Sequence, residues 1–149
     1  DFKFRLAATG GTNVNEGDKT AILGIIWQLM REHVLSLLRS LGNMEEKEII
    51  AWCNEHKGAA QDTMSSFKDK HLATSHYALA VIECCKPGAV DQSLIFPGNS
   101  DDEKMDNAKL CISMVRKFGG VVFLLPEDVV EVKPKMLLTL FASIIKICI

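Results

Sequence analysis

The sequence has few aromatic residues and no excess of charge of either sign. Aromatic side chains make up 7% of the 149 residues, and 17 basic residues against 19 acidic ones give a formal net charge of −2. Such a balance argues against a general nucleic-acid-binding protein, because that affinity depends on dense neutralisation of phosphates. Hydrophobic residues nevertheless make up 48% of the chain, which is ample for the packed core of one ordinary domain.

The sequence also lacks the residue patterns that carry enzymatic or metal chemistry. Ser75 and His76 are neighbours without a nucleophile-elbow pattern, and the glycine pairs at 10–11 and 119–120 match neither a Walker loop nor a dinucleotide fingerprint. The acidic run Asp101–Asp106 lacks the glycine and alternating ligands of a calcium loop, so we interpret it as the first turn of a helix. We therefore predict no catalytic residues, no metal and no cofactor.

The C-terminal apolar stretch is too short to span a membrane. Residues Met136–Ile149 are interrupted by Lys146 and fall short of the ~20 residues that a bilayer requires, so we predict no membrane partner. No signal-peptide pattern precedes the first charged residues. Because the chain opens with Asp1 rather than Met, we expect a fragment of a longer protein.

The odd number of cysteines indicates free thiols rather than a disulfide framework. Four of them lie within apolar helical patterns, where reduced cysteines pack as small hydrophobic residues. We therefore expect a reducing, cytoplasmic compartment. The five cysteines are Cys53, Cys84, Cys85, Cys111 and Cys148.

Apolar residues recur at helical spacing along most of the chain and predict an all-α fold with long loops. The first helix is predicted to begin after an N-cap at Asp18 and to end at Leu41, before Gly42. Apolar residues cover most of its circumference, which is typical of a helix buried in a core. Trp27 is therefore expected to be one of its core anchors.

Helix start and stop signals predict the remaining elements. Asn43 and Glu46 form a capping-box-like start to a second helix, in which Trp52 is expected to be another core anchor. Ser100 with Glu103 is expected to cap a later helix. The other predicted elements are a polar loop over 58–70, helices over 75–85, 126–130 and 136–147, and an extended core segment over 121–125. The predicted inward face of the last helix consists of Leu137, Leu140, Phe141, Ile144 and Ile145.

Several segments, taken in order, resemble the fimbrin/plastin family of calponin-homology proteins. The strongest lies over 125–136 and has the sequence Leu-Pro-Glu-Asp-Val-Val-Glu-Val-Lys-Pro-Lys-Met. The others are Glu16–Arg31, Trp52–Asn54, Ser66–Lys70, Asn107–Lys109 and Ser113–Lys117. The resemblance implies a calponin-homology fold, with about four main helices plus short helices and long loops. It further implies that residues 1–41 are the tail and closing helix of a preceding calponin-homology domain, and that 44–149 form the complete fourth one.

The resemblance also implies a function. Members of this family bind and bundle actin filaments without catalysis, in the cytoplasm and at the actin cytoskeleton, so filamentous actin and the preceding domain of the same chain are the implied partners. Family contacts with actin map to residues 18–31 and 45–57. Their polar positions give five candidate actin-binding residues, which are Thr20, Gln28 and Arg31 on the first helix, and Lys47 and Lys57 on the polar face of the second.

Three other interpretations remain open from the sequence. The chain is alternatively a structural or regulatory calponin-homology domain that supports its neighbour with little direct actin contact. Microtubule binding is a further alternative, although it would favour a strong basic patch that the sequence lacks. We also hypothesise that the fragment self-associates through its first helix, because large exposed apolar patches are rare on monomers.

Overall fold

The computed structural model describes residues 19–149, and within them every regular element is helical. The all-α prediction is therefore confirmed. The α-helices are α1 (Lys19–Ser40), α2 (Glu46–Glu55), α3 (His76–Cys85), α4 (Asp101–Lys117), α5 (Pro126–Val130) and α6 (Pro134–Cys148), with 3-10 turns at Lys70–Thr74 and Gln92–Leu94. Contacts divide the chain into two compact units, one ending at Asn43 and the other comprising Met44–Ile149, and each is described by itself.

Helix α1 ends at the glycine that the sequence indicates. Gly42 has a φ of 78°, a left-handed conformation that glycine adopts without strain. The Asn43 N–H donates to the Leu38 carbonyl at 2.9 Å and the Gly42 N–H donates to the Arg39 carbonyl at 3.1 Å, the two bonds of a Schellman motif. The predicted N-cap, Asp18, lies outside the described residues.

Most of the apolar surface of α1 is exposed, contrary to the prediction. Of its residues only Ala21 and Leu37 are buried, and Trp27 is 58% exposed, so its interpretation as a core anchor is wrong for this chain. A helix that is apolar on most sides needs covering elements on most sides, and residues 19–149 do not provide them for α1. The other large exposed side chains of α1 are Ile22, Leu23, Ile26, Leu29 and Leu35.

The core of residues 44–149 is built around α6, which packs against α2, α3, α4 and α5. All five residues of its predicted inward face are buried, which confirms that prediction. Phe141 on α6 lies between two other buried rings, with its centroid 5.9 Å from those of both Phe67 and Tyr77. Aromatic rings at this spacing add to the stability that their burial provides.

The starts of α2 and α4 show one wrong and one confirmed prediction. Helix α2 has Glu45 as its N-cap, and the Glu45 N–H donates to Glu48 Oε2 at 2.6 Å. Asn43 instead has a φ of 59° and closes the end of α1, so it cannot cap α2. Ser100 does cap α4, because its hydroxyl accepts the Glu103 N–H at 3.2 Å.

The segment before α5 is extended, as predicted, but only half of it is core. Val122 and Leu124 are buried, whereas Val121 and Leu125 are more than half exposed. Successive side chains of an extended backbone point to opposite sides, so alternate residues face the interior. Helix α5 then matches the predicted range, and α6 begins at Pro134, two residues before the predicted start.

Candidate functional site

Helix α2 carries a buried face and a polar face. Ile49 and Cys53 are fully buried, one turn apart, and they hold the helix against the core. Lys47 lies on the exposed side and forms no ion pair with any residue that the structure describes. The helix therefore presents Lys47 to solvent on a rigid support.

The C-terminal half of α2 carries a stacked pair of rings. Trp52 and His56 have ring centroids 3.9 Å apart and an interplanar angle of 13°, and His56 Nδ1 donates to the Trp52 carbonyl at 2.8 Å. Both side chains are half-buried, so Trp52 is only in part the core anchor that the sequence predicts. The stack gives this end of α2 a flat, rigid surface that is partly open to solvent.

Asn54 fastens the loop that follows α2, a role that the sequence analysis missed. Its amide donates to the Met64 carbonyl at 2.8 Å and accepts the Met64 N–H at 2.9 Å. The same Asn54 oxygen accepts the Tyr77 hydroxyl at 2.6 Å. Burial raises the pKa of Tyr77, which keeps the phenol protonated as a donor. One side chain thus joins α2, the loop and α3.

Lys57 lies in this loop rather than on the polar face of α2, which ends at Glu55. Its Nζ donates to the Asp62 carbonyl at 3.0 Å and to the Thr63 hydroxyl at 2.9 Å. The predicted placement on the helix is therefore wrong. Two of the three ammonium donors serve to hold the loop closed.

The three candidates on α1 share one side of that helix by their spacing. Thr20, Gln28 and Arg31 are separated by eight and three residues, which helical geometry places along one side. Arg31 is exposed and forms no ion pair within residues 19–149. Gln28 is half-buried, and its Oε1 has no hydrogen-bond partner among the residues that the structure describes.

Asn107 is a second buried amide that sequence reasoning missed. It is fully buried in α4, accepts the Phe96 N–H at 2.8 Å, and donates to the carbonyls of Phe96 at 2.9 Å and Thr74 at 3.1 Å. His76 Nε2 donates to the same Phe96 carbonyl at 2.8 Å. The sequence signal for this buried role was the position of Asn107, one residue before Ala108 and at the edge of the inward-facing apolar side of α4.

Asp128 organises the segment on which the family resemblance mainly depends. Its carboxylate accepts the Leu125 N–H at 2.9 Å and Lys133 Nζ at 2.7 Å. Burial raises the pKa of Asp128, but these hydrogen bonds and the charge of Lys133 outweigh that effect and hold the pKa below its ordinary value. This ionised carboxylate fixes the turn from the extended segment through α5 into α6.

The described residues contain no arrangement set up for catalysis or metal binding. No group of three or more His, Cys, Asp or Glu side chains within residues 19–149 could hold a metal ion. Burial raises the pKa of both Cys53 and Cys111 to about 12, so neither is a thiolate at neutral pH. An open groove of about 560 Å³ lies between α3 and the loop at 58–62. What the described part of the chain offers is rigid helical surface.

Comparison with known proteins identifies the family. The calponin homology (CH) domain matches residues 43–149. The chain belongs to the calponin homology domain family. It is 46% identical over 149 residues to fimbrin of Dictyostelium discoideum, covering 97% of this chain and 24% of that protein. Plastin-1 of Homo sapiens is 43% identical over 148 residues, covering 95% of this chain and 24% of that protein.

A solved structure agrees with both the fold and the family. The crystal structure of the actin-crosslinking core of Schizosaccharomyces pombe fimbrin matches 98% of this chain and 31% of its own, with a TM-score of 0.70 and 32% identity. The predicted resemblance to fimbrins and plastins, and the calponin-homology fold, are confirmed. The chain spans about a quarter of the length of the curated relatives that it matches.

The comparisons also bear on the apolar surface of α1. By length and composition alone, α1 is the one helix within residues 19–149 that is apolar enough to cross a membrane, a test that the core helix of a globular domain also passes. The prediction of no membrane partner depended on the C-terminal stretch at 136–149 and not on α1. The similarity to Dictyostelium fimbrin covers 97% of the chain and so includes most of α1, which favours a domain helix.

Proposed function

We propose that the chain is an actin-filament-binding and crosslinking module of a fimbrin-like cytoskeletal protein, acting without catalysis at the cytoplasmic actin cytoskeleton. The observation that carries this proposal is the match to the actin-crosslinking core of a fimbrin, which extends over 98% of the chain at 32% identity. No group of three or more metal-ligating side chains within residues 19–149 could hold a metal ion, which is consistent with a function based on surface contact.

The proposed domain organisation has two parts. Residues 44–149 form one complete calponin-homology domain, and residues 1–41 are the tail and closing helix of a preceding one. The family match over 43–149 supports the first part. The exposed apolar residues of α1 support the second, because a closing helix without the rest of its domain would expose such residues. The preceding domain of the same chain is therefore a proposed partner.

The proposed filament contacts are the polar residues of α1 and α2. Arg31 and Lys47 are the strongest candidates, because both are exposed cations without an ion pair in the described part of the chain. An unpaired surface cation loses no existing partner when it meets an acidic protein surface. Thr20 and Gln28 accompany Arg31 on α1. Lys57 is the weakest candidate, since its ammonium is engaged within the loop.

The alternative is a structural or regulatory domain that supports its actin-binding neighbour. The charge of the α2 N-terminus favours this alternative, because Lys47 is surrounded in sequence by the exposed Glu45, Glu46 and Glu48. With a formal net charge of −2, the chain has little long-range attraction for an acidic filament. In this case α1 and α2 would pack on neighbouring domains, and actin affinity would lie elsewhere in the protein.

Self-association through α1 is a proposal of its own. Six large apolar residues of this helix are exposed, which would favour burial against another copy. Sedimentation velocity at tens of micromolar tests it directly. A concentration-dependent shift that Leu23→Glu abolishes would support self-association. A strictly monomeric profile would exclude it.

The test of the main proposal is cosedimentation with filamentous actin. The 149-residue chain is compared with a longer chain that includes the whole preceding domain. If the short chain pellets and Arg31→Ala or Lys47→Ala weakens binding several-fold, α1 and α2 form a filament-binding surface. Lys117→Ala, an exposed lysine at the end of α4, is the matched control. Binding by the longer chain alone favours the supporting role, and no binding by either contradicts the actin proposal.

A further inference from the structure

An open groove of about 560 Å³ lies beside α3, between a first wall at residues 58–62 and a second wall at residues 92–95. None of the five candidates for filament contact lines it. Its size falls within the range of about 300–1,000 Å³ that is typical of ligand sites. We propose that this groove binds a short peptide segment of a partner protein, in which a lysine or arginine lies next to apolar side chains.

Much of the groove surface is apolar. The apolar lining residues are Ala59, Ala60, Leu79, Ala80 and Ile95. Two large apolar side chains on either side of Ile95 are also open to solvent, since Leu94 is 53% exposed and Phe96 is 44% exposed. Exposed apolar surface that adjoins a groove is typical of an interaction site, because a partner that covers it removes it from water.

The charged side chains that line the groove are acidic. They are Asp62 on the first wall and Glu83 on α3, and no lysine or arginine is among the described residues that line the groove. The Asp62 carboxylate forms no ion pair within residues 19–149. An unpaired carboxylate beside apolar surface favours a ligand with a cationic side chain among its apolar ones.

Glu83 contributes a second negative charge to the same groove. Its carboxylate accepts the Gly88 N–H at 2.7 Å and the Val90 N–H at 2.9 Å. These hydrogen bonds hold the pKa of Glu83 below its usual value. Glu83 therefore stays ionised at neutral pH while it fastens the loop that follows α3.

The first wall is held in place by side chains of α2 and of the loop itself. Lys57 Nζ and the Asn54 amide make four hydrogen bonds to residues 62–64. At the other end of the wall, Gly58 has a φ of 55°, and a Cβ at this position would lie 3.2 Å from Cys84 Cβ. The absence of a side chain at Gly58 thus lets the wall lie directly against α3.

The second wall is fixed at both ends. Before it, the Asp91 carboxylate accepts the Ser93 N–H at 2.9 Å and the Ser93 hydroxyl at 2.6 Å. After it, the Phe96 carbonyl accepts hydrogen bonds from His76 Nε2 at 2.8 Å and from the Asn107 amide at 2.9 Å. Because both walls are already ordered, little conformational entropy of the protein is lost when a ligand binds.

Selection from a phage-displayed library of random linear peptides on the folded 149-residue chain tests the proposal. We expect the enriched peptides to share a lysine or arginine next to apolar residues. A fluorescein-labelled synthetic copy of an enriched peptide then gives the affinity by fluorescence polarisation. Asp62→Asn should weaken binding several-fold, and added salt should weaken it as well. Ala59→Trp should abolish binding, because the indole occupies the groove.

Two controls accompany these variants. Glu127→Gln removes an exposed carboxylate that does not line the groove, so it should leave the affinity unchanged. Cys84 provides a measurement that needs no substitution, because its free, exposed thiol lines the groove. Bound peptide should slow the alkylation of Cys84 by N-ethylmaleimide several-fold, and this measurement decides the question if Ala59→Trp does not fold.

Three results would overturn the proposal. One is a selection that enriches no peptide above the background of the bare support. Another is an enriched peptide that lacks a basic residue or that binds Asp62→Asn and Ala59→Trp as tightly as the unmodified chain. The third is a bound peptide that leaves the alkylation rate of Cys84 unchanged.

Discussion

Helices α1 and α6 are both strongly apolar, yet they are buried to very different extents. In α6, eight of 15 residues are buried, whereas in α1 only two of 22 are. Helix α6 packs against four other helices of its own domain. The difference shows that apolar composition states how much covering a helix needs, while the neighbours that provide it belong to the tertiary structure.

Two amide side chains, one from each region, also differ in their hydrogen bonding. Asn107 in α4 is fully buried, and its amide binds three backbone groups. Gln28 in α1 has a buried Oε1 with no hydrogen-bond partner in the described part of the chain. Buried polar atoms in finished domains are almost always paired. Asn107 therefore follows this rule and Gln28 does not, although His71 Nε2 and Ser75 Oγ in the unit over 44–149 are also buried without a partner among the described residues.

The largest expected effect is the difference in the free energy of unfolding between two variants that each lose an aromatic side chain, one in α6 and one in α1. Phe141→Ala in α6 should lower the free energy of unfolding by about 3–5 kcal/mol, because it leaves a cavity between Phe67 and Tyr77. Trp27→Ala in α1 should change it by less than about 0.5 kcal/mol, since that side chain is 58% exposed. Urea unfolding followed by circular dichroism measures both. An equal cost for the two variants would break the comparison.

The next largest effect on stability compares the loss of the Asn107 side chain with the loss of the Gln28 side chain. Asn107→Ala should cost about 2–3 kcal/mol, because it leaves the Phe96 N–H and the Thr74 carbonyl without this partner, while the Phe96 carbonyl keeps its bond from His76. Gln28→Ala should cost far less, since its buried oxygen has no bond to lose. Asn99→Ala, an exposed position just before α4, is the matched control and should be near neutral. Thermal and urea unfolding of the three variants provide the measurement.

A smaller effect concerns the pH dependence of stability. The one carboxylate in α1 is Glu32, whereas the unit over 44–149 contains Asp128, whose carboxylate is held by hydrogen bonds. The pKa of Asp128 is lower in the folded state than in the unfolded state, so its ionised carboxylate stabilises the fold. This contribution is fully present above the unfolded-state pKa of about 4 and is lost as the pH falls through the folded-state pKa. Asp128→Asn should therefore cost about 1–2 kcal/mol at pH 7. That cost should shrink in urea titrations below about pH 4.

Asp106→Asn is the control for this measurement, since the Asp106 side chain is 51% exposed in its ion pair with Lys109. It should leave stability nearly unchanged across the titration. A constant cost of Asp128→Asn from pH 7 to pH 3 would show that the carboxylate acts through shape and not through charge.

The smallest expected effect on stability is that of the helix cap at Ser100, which acts locally and not through packing of the core. Ser100→Ala should cost about 1 kcal/mol, because it removes the acceptor for the Glu103 N–H at the start of α4. Ser113→Ala, at an exposed position inside the same helix, should stay within about 0.5 kcal/mol. The shift in thermal midpoint measures both. An equal shift would mean that the cap contributes nothing beyond helix propensity.

The confirmed sequence predictions share a local physical cause. The inward face of α6, the range of α5 and the Ser100 cap each depend on residues within one or two helical turns. The missed features depend on distant partners, because Asn54 binds Met64 ten residues away and Asn107 binds Thr74 33 residues away. The predicted place of Lys57 on α2 was wrong because the helix ends at Glu55, and its ammonium instead bonds to Asp62 and Thr63 in the loop.

The sequence by itself determined the helical periodicity, the stop at Gly42, the cap at Ser100 and the order of motifs that indicates the family. These follow from side-chain spacing and backbone preference, which act over a few residues. Only the tertiary structure decided that α6 is covered while α1 is exposed, and that two asparagines fasten distant loops. Those outcomes depend on which surfaces come together in space, and spacing along the chain does not encode that directly.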